Sequence, residues 1–135
     1  MLCLQKLSMF FFLDINQTNR NFVEYRAKKL GVEKKLSFCK TIQDTQILKF
    51  DTIVCLDVLE HLADPTSQIN NFSEIMDSNS IALFNWYFYK GDKNEYPFHV
   101  DDSKVVEKFF EALESKFLEV IHPILITTRA YKKIR

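Results

Sequence analysis

The sequence predicts an α/β domain built on a mostly parallel sheet that ends in an antiparallel strand pair. Three observations carry this expectation. Short apolar runs alternate with stretches of helical periodicity, the pattern of successive βα units. The run from Phe50 to Leu56 passes into the acidic, His-bearing turn Asp57-Val58-Leu59-Glu60-His61 and then a helix start at Asp64-Pro65. A parallel sheet presents polar groups in that order, at the carboxyl ends of its strands. The last two apolar runs, Leu118 to Ile121 and Ile124 to Lys132, are separated only by His122-Pro123, which suits an antiparallel pair.

Each element follows from local chemistry. The phenylalanine-rich run Met9 to Leu13 reads as a strand. As part of a signal peptide it is too short to span a membrane, and Asp14-Ile15-Asn16 stands where a small-residue cleavage site belongs, so a strand in a cytoplasmic protein is expected. Asn16-Gln17-Thr18-Asn19 offers N-cap side chains, and Val23, Ala27 and Leu30 recur at helical spacing. Gly31 ends that helix, with Lys28 and Lys29 placed to suit its dipole. A strand Lys35 to Cys39, a loop Thr41 to Lys49 and a buried strand Thr52 to Leu56 follow. The Asp64 carboxylate caps the next helix while Pro65 at its first position loses no hydrogen bond; Ile69, Phe72 and Met76 face the core. After a strand Ser80 to Asn85 comes an aromatic, polar excursion from Trp86 to Asp102. A helix then carries Val106, Phe109, Phe110, Leu113 and Phe117 at core spacing.

Composition bounds the rest. The 135 residues fit one domain, 1–135. With 47% hydrophobic residues and 18 acids balancing 18 bases, there is no electrostatic bias toward nucleic acid or an acidic membrane, and neither partner is expected. Cys3, Cys39 and Cys55 lack CxxC pairing and read as buried small hydrophobes in a reducing compartment. No His, Asp or Cys set has metal-ligand spacing, so no metal centre is expected. With only two glycines, Gly31 and Gly91, the chain contains no Gly-rich nucleotide loop.

The segment Phe50 to Pro65 resembles the fourth strand and following loop of class I S-adenosylmethionine-dependent methyltransferases, which read like FDxIxxxDVLEHLxDP. In register, the resemblance runs from about Met9 to the final strands and matches the family from its second strand onward. It implies a Rossmann-like sheet, S-adenosylmethionine as cofactor and methyl transfer to a small-molecule acceptor. Asp14, an acid at the carboxyl end of a strand, can accept hydrogen bonds from two adjacent hydroxyls; the resemblance implies that these belong to the adenosine ribose, the alternative being a helix-capping role. Asp57 is implied to face the cofactor's ammonium group or the acceptor, and Asp44, displaced from the usual position, the adenine. Histidine side chains exchange protons near neutral pH, so His61 is a candidate to take a proton from the acceptor, or it fixes the turn together with Glu60. The segment Trp86 to Val100 is a candidate lid in which His99 is a second proton acceptor; such an aromatic cluster also suits a core or a partner interface.

The family's first strand normally ends in an acid followed by a GxGxG-like loop. Met1 to Ser8 contain no glycine and no acid. A sheet without its first strand and helix leaves neighbouring strands short of a partner and open to self-association. Three readings stay open: a truncated or degenerate methyltransferase frame whose start lies upstream, a short form serving as a binding or regulatory module, and an unrelated α/β nucleotide binder. The last does not account for Asp57 to His61.

Overall fold

The computed structural model describes residues 9–47, 49–121 and 128–134; the expectations for Met1 to Ser8, Cys3 among them, for Leu48 and for His122 to Thr127 lie outside these. The chain divides into two compact units, Met1–Ile47 and Leu48–Arg135.

In the first unit, strand β1 (Phe10–Leu13) leads into helix α1 (Gln17–Leu30), and β2 (Leu36–Cys39) returns parallel to β1, with Phe10 opposite Leu36 and Leu13 opposite Cys39. Helix α1 begins where the cap chemistry places it: Asn16 Oδ1 accepts from the amides of Thr18 and Asn19 at 2.8 and 3.4 Å. It stops at Gly31, whose φ of 68° is left-handed and whose amide donates to Lys28 O. Of the three apolar positions that recur at helical spacing, Ala27 is buried, Val23 is half-buried and Leu30 is 66% exposed. Helical spacing alone did not specify how wide the covered stripe is.

In the second unit, four strands lie in the order β3-β4-β6-β5: β3 (Thr52–Cys55), β4 (Ile81–Phe84), β5 (Phe117–Ile121) and β6 (Arg129–Lys133). β3 and β4 are parallel; β6 runs antiparallel to both β4 and β5, with a register irregularity between Glu119 and Ile121. Helix α2 (Pro65–Glu74) crosses from β3 to β4, and α3 (Ser103–Lys116) precedes β5. The expected mixed α/β arrangement with an antiparallel close is therefore observed.

One face of this sheet carries the core. Ile53, Cys55, Ala82, Phe84 and Tyr131 share it and pack against Ile69, Phe72 and Met76 from α2 and its C-terminal end, and Phe109 and Leu113 from α3. All the expected inward positions of α2 are buried. The opposite face is thinly covered: Val54 is 59% exposed and Leu56 41%. The expectation of a buried strand at Thr52 to Leu56 is thus half right. Val54 and Leu56 alternate with the core-facing Ile53 and Cys55 and lie on the face that α2 and α3 do not cover; parallel strands with both faces covered read the same way in sequence.

Truncating the central rings measures this core. Phe109→Ala, at a fully buried site, is expected to cost ~3–5 kcal/mol in urea unfolding, whereas Leu30→Ala, at an exposed one, is expected to change stability by less than about 0.5 kcal/mol.

Candidate functional site

At the carboxyl ends of β3 and β4 the sheet changes from apolar to polar. Phe84 is buried, and the next residue, Asn85, is buried too but bonds laterally: its Nδ2 donates to Asp57 Oδ1 at 2.8 Å, and its Oδ1 accepts from the Asp57 amide at 2.6 Å. The reciprocal pair ties the two strand ends together and holds Asp57 at φ 54°, a left-handed conformation that Asp tolerates better than most side chains. One Asp57 oxygen is thereby spent on structure. Asp57 itself remains exposed.

The chain then makes a 3-10 turn, Leu59–His61, that buries Leu59 and Glu60 and leaves His61 exposed. His99 is brought beside it. Val100 N donates to Glu60 O at 2.7 Å, and the His61 and His99 rings meet edge to face with centroids 4.7 Å apart. Burial pushes the Cys55 thiol up to about 12, with the nearby Glu60 carboxylate adding to the shift.

The aromatic excursion divides by alternation, as extended chain does. Trp86 and Phe88 turn inward onto Phe109, at 5.3 and 4.8 Å between centroids. Tyr87 and Tyr89 turn outward and are exposed. Tyr96 stacks on His99 at 5.0 Å, and Tyr87 meets its edge at 5.8 Å. Gly91, at φ 85°, makes the turn between them; a side chain there would collide with the Glu95 carboxylate. Part of the excursion is therefore core, and part surrounds His99.

The first unit carries the other two predicted acids. Asp14 follows β1 and accepts from Asn16 N at 2.7 Å and from Asn19 Nδ2 at 2.9 Å, while Arg20 donates to its carbonyl oxygen. The Asn16 amide, then Asn19, holds its carboxyl below the usual range. Each carboxylate oxygen keeps a second lone pair for a ligand. Asp44 closes a loop by accepting from Thr41 N at 2.8 Å and Lys40 N at 3.1 Å, which likewise lowers its pKa, chiefly through Thr41. Asn85 and Tyr96 were not singled out by the sequence reading, and Glu60 entered it only as a partner of His61 in fixing the turn. Of the first two only Asn85, a polar residue ending an apolar strand, left a signal there.

No protein-family model and no curated protein sequence matches the chain. Solved structures do. A protein from Clostridium thermocellum described as an rRNA-methylase superposes with a TM-score of 0.66 at 17% identity, over 94% of this chain and 73% of its own. A methyltransferase from Podospora anserina, solved with bound SAH, gives 0.60 at 14% identity over 94% of this chain and 61% of its own. The cyclase SpnF gives 0.60 at 12% identity, over 85% and 46%. The fold is accordingly the Rossmann-like α/β fold of the class I S-adenosylmethionine-dependent methyltransferases. SpnF, a cyclase by name, has it too, so the fold leaves the reaction open.

Asp14 in the first unit and Asp57 in the second each present a carboxylate, the chemistry that bonds hydroxyl or ammonium groups of such a cofactor. Gly31 caps a helix and Gly91 turns the aromatic segment, so neither glycine lines a nucleotide loop. Among the described residues no helix is long and apolar enough to cross a membrane.

Two outcomes test this geometry. Asn85→Ala should lower stability by ~1–3 kcal/mol in thermal unfolding, because a buried bonding partner of the Asp57 amide is lost. The Cys55 thiol should resist Ellman's reagent at pH 8 until the chain unfolds. Its folded value of about 12 lies above the ordinary 9.0, so its contribution to stability is present below pH 9 and is lost as pH rises from there toward the folded value.

Proposed function

We propose that this chain forms the acceptor-side part of a class I S-adenosylmethionine-dependent methyltransferase, acting on a small-molecule acceptor in the cytoplasm. The observation that carries the reading is the locked turn after β3, where the Asp57–Asn85 pair is followed directly by the His61–His99 contact, on a fold shared with methyltransferases.

When bound, the cofactor supplies a methyl group already made electrophilic by its sulfonium. The protein has to bind, align and remove a proton. Asp14 accepts hydrogen bonds from ribose hydroxyls, Asp44 is the candidate for the adenine amino group, and the free oxygen of Asp57 faces the ammonium end. His61 or His99 accepts the proton of an acceptor hydroxyl or amine. Exposed Tyr87, Tyr96 and Phe98 suit a flat or apolar acceptor. An rRNA-methylase shares the fold, but 18 basic residues offset by 18 acidic ones favour a small molecule over a polyanion.

Calorimetry and the neighbouring DNA test the reading together. The 135-residue chain alone should bind S-adenosylmethionine more weakly than about 1 mM, because no glycine loop approaches the cofactor. A reading frame immediately upstream should encode a strand ending in an acid and a GxGxG-like loop. Joined to it, the chain should bind in the micromolar range and lose ~1–3 kcal/mol on Asp14→Asn. Micromolar binding by the chain alone would refute the need for that loop, and an intact unrelated gene upstream would favour a non-catalytic binding or regulatory module.

A further inference from the structure

The hydrogen bond from Val100 N to Glu60 O, 2.7 Å long, fixes the end of the aromatic segment against the 3-10 turn after β3. It gathers three side chains of ligand chemistry. Glu60, His61 and His99 each present one ligand atom, and these atoms lie within 4.8 Å of one another; among the described residues this is the one such group. A second observation is independent of that spacing. Glu60 is 2% exposed and its Oε2 has no hydrogen-bond partner, and the buried Nδ1 of His99 has none either. Two neighbouring buried polar atoms left unbonded are uncommon unless something else binds them.

We propose that Glu60, His61 and His99 form a binding site for a divalent transition-metal ion of the zinc type, held by a carboxylate oxygen and one nitrogen of each imidazole. Two imidazoles and a carboxylate are a ligand set of open zinc sites, which keep a fourth position for water or substrate. Ligand atoms ~2.1 Å from a tetrahedral ion stand about 3.4 Å apart, so closing from 4.8 Å takes small side-chain shifts. Exposed His61 can make them. His99 is held in place by its stacking on Tyr96 and the edge of Tyr87, and the buried carboxylate supplies the charge that a cation compensates.

Sequence spacing concealed this set because Glu60 and His61 are adjacent while His99 lies on a separate segment. With an ion bound, the imidazoles hold metal instead of accepting a proton, and a coordinated hydroxyl or water loses its proton more readily. That consequence rests on the methyl-transfer reading; the site does not.

The test is a titration of the chelator-stripped full chain with Zn2+ by calorimetry and with Co2+ by visible absorption. One ion per chain should bind with a Kd of about 1 μM or tighter, with the intense bands of low-coordinate cobalt. His61→Ala, at an exposed position, and Glu60→Gln should each weaken binding at least tenfold, with circular dichroism verifying that the variants fold. His122→Ala, which removes the one histidine outside the set, should leave it unchanged. Absence of saturable binding up to about 1 mM, or binding that survives both ligand variants, would overturn the site. Neither result involves S-adenosylmethionine, so failure here and failure of the methyl-transfer reading are distinguishable.

Discussion

The second unit depends on the burial of one ring. Phe84, fully enclosed, stacks on Phe72 of α2 at 5.3 Å and meets Phe117 at the start of β5 and Tyr131 of β6 at 5.7 and 5.6 Å. An aromatic side chain removes a large apolar area from water in one step, and its contacts prefer defined geometries. Helix, central strand and antiparallel close are thus keyed to a single position. Since Phe84 ends β4, the residue after it is placed with the same definition.

That residue is Asn85, and the transition from Phe84 to Asn85 marks the boundary between core and chemistry. Neighbouring parallel strands end side by side there, so an amide on one reaches both the backbone and the side chain of Asp57 on the other. The left-handed turn at Asp57 is stabilised by those two bonds, and it directs the chain into Leu59 and Glu60, which are buried. The aromatic segment is anchored at both ends: Trp86 and Phe88 insert into the core, and Val100 bonds the Glu60 carbonyl. Between the anchors Tyr87, Tyr89 and Tyr96 stay partly exposed while packing on one another and on His99.

Local signals were read well from sequence because their physics spans only a few residues. Asn16 caps α1, left-handed Gly31 ends it, and Asp64 caps α2 at Ser67 N and Oγ ahead of Pro65. The faces of α2 and α3 were legible because Ile69, Phe72, Met76, Phe109 and Leu113 repeat with the helical period, and all are buried. The candidate site was legible only in part. Asp14, Asp44, Asp57, His61 and His99 were recognisable as chemical groups, but their partners were not. Exposure of Val54 and Leu30 also escaped, because an apolar residue reads the same whether or not something covers it.

The sequence by itself determined where α1 begins and ends and where α2 begins, which faces of α2 and α3 turn inward, and that an acidic, histidine-bearing turn follows a parallel strand; it carried Phe117 on α3, whereas the helix ends at Lys116 and Phe117 opens β5. What it determined depends on capping, periodicity and backbone preference, all short in range. Only the tertiary structure decided that Asn85 locks Asp57, that the aromatic segment divides between core and surface, and that Glu60, His61 and His99 converge. Such pairings join residues distant in sequence, and they are selected by close packing and by the need to satisfy buried polar groups, neither of which a single segment encodes.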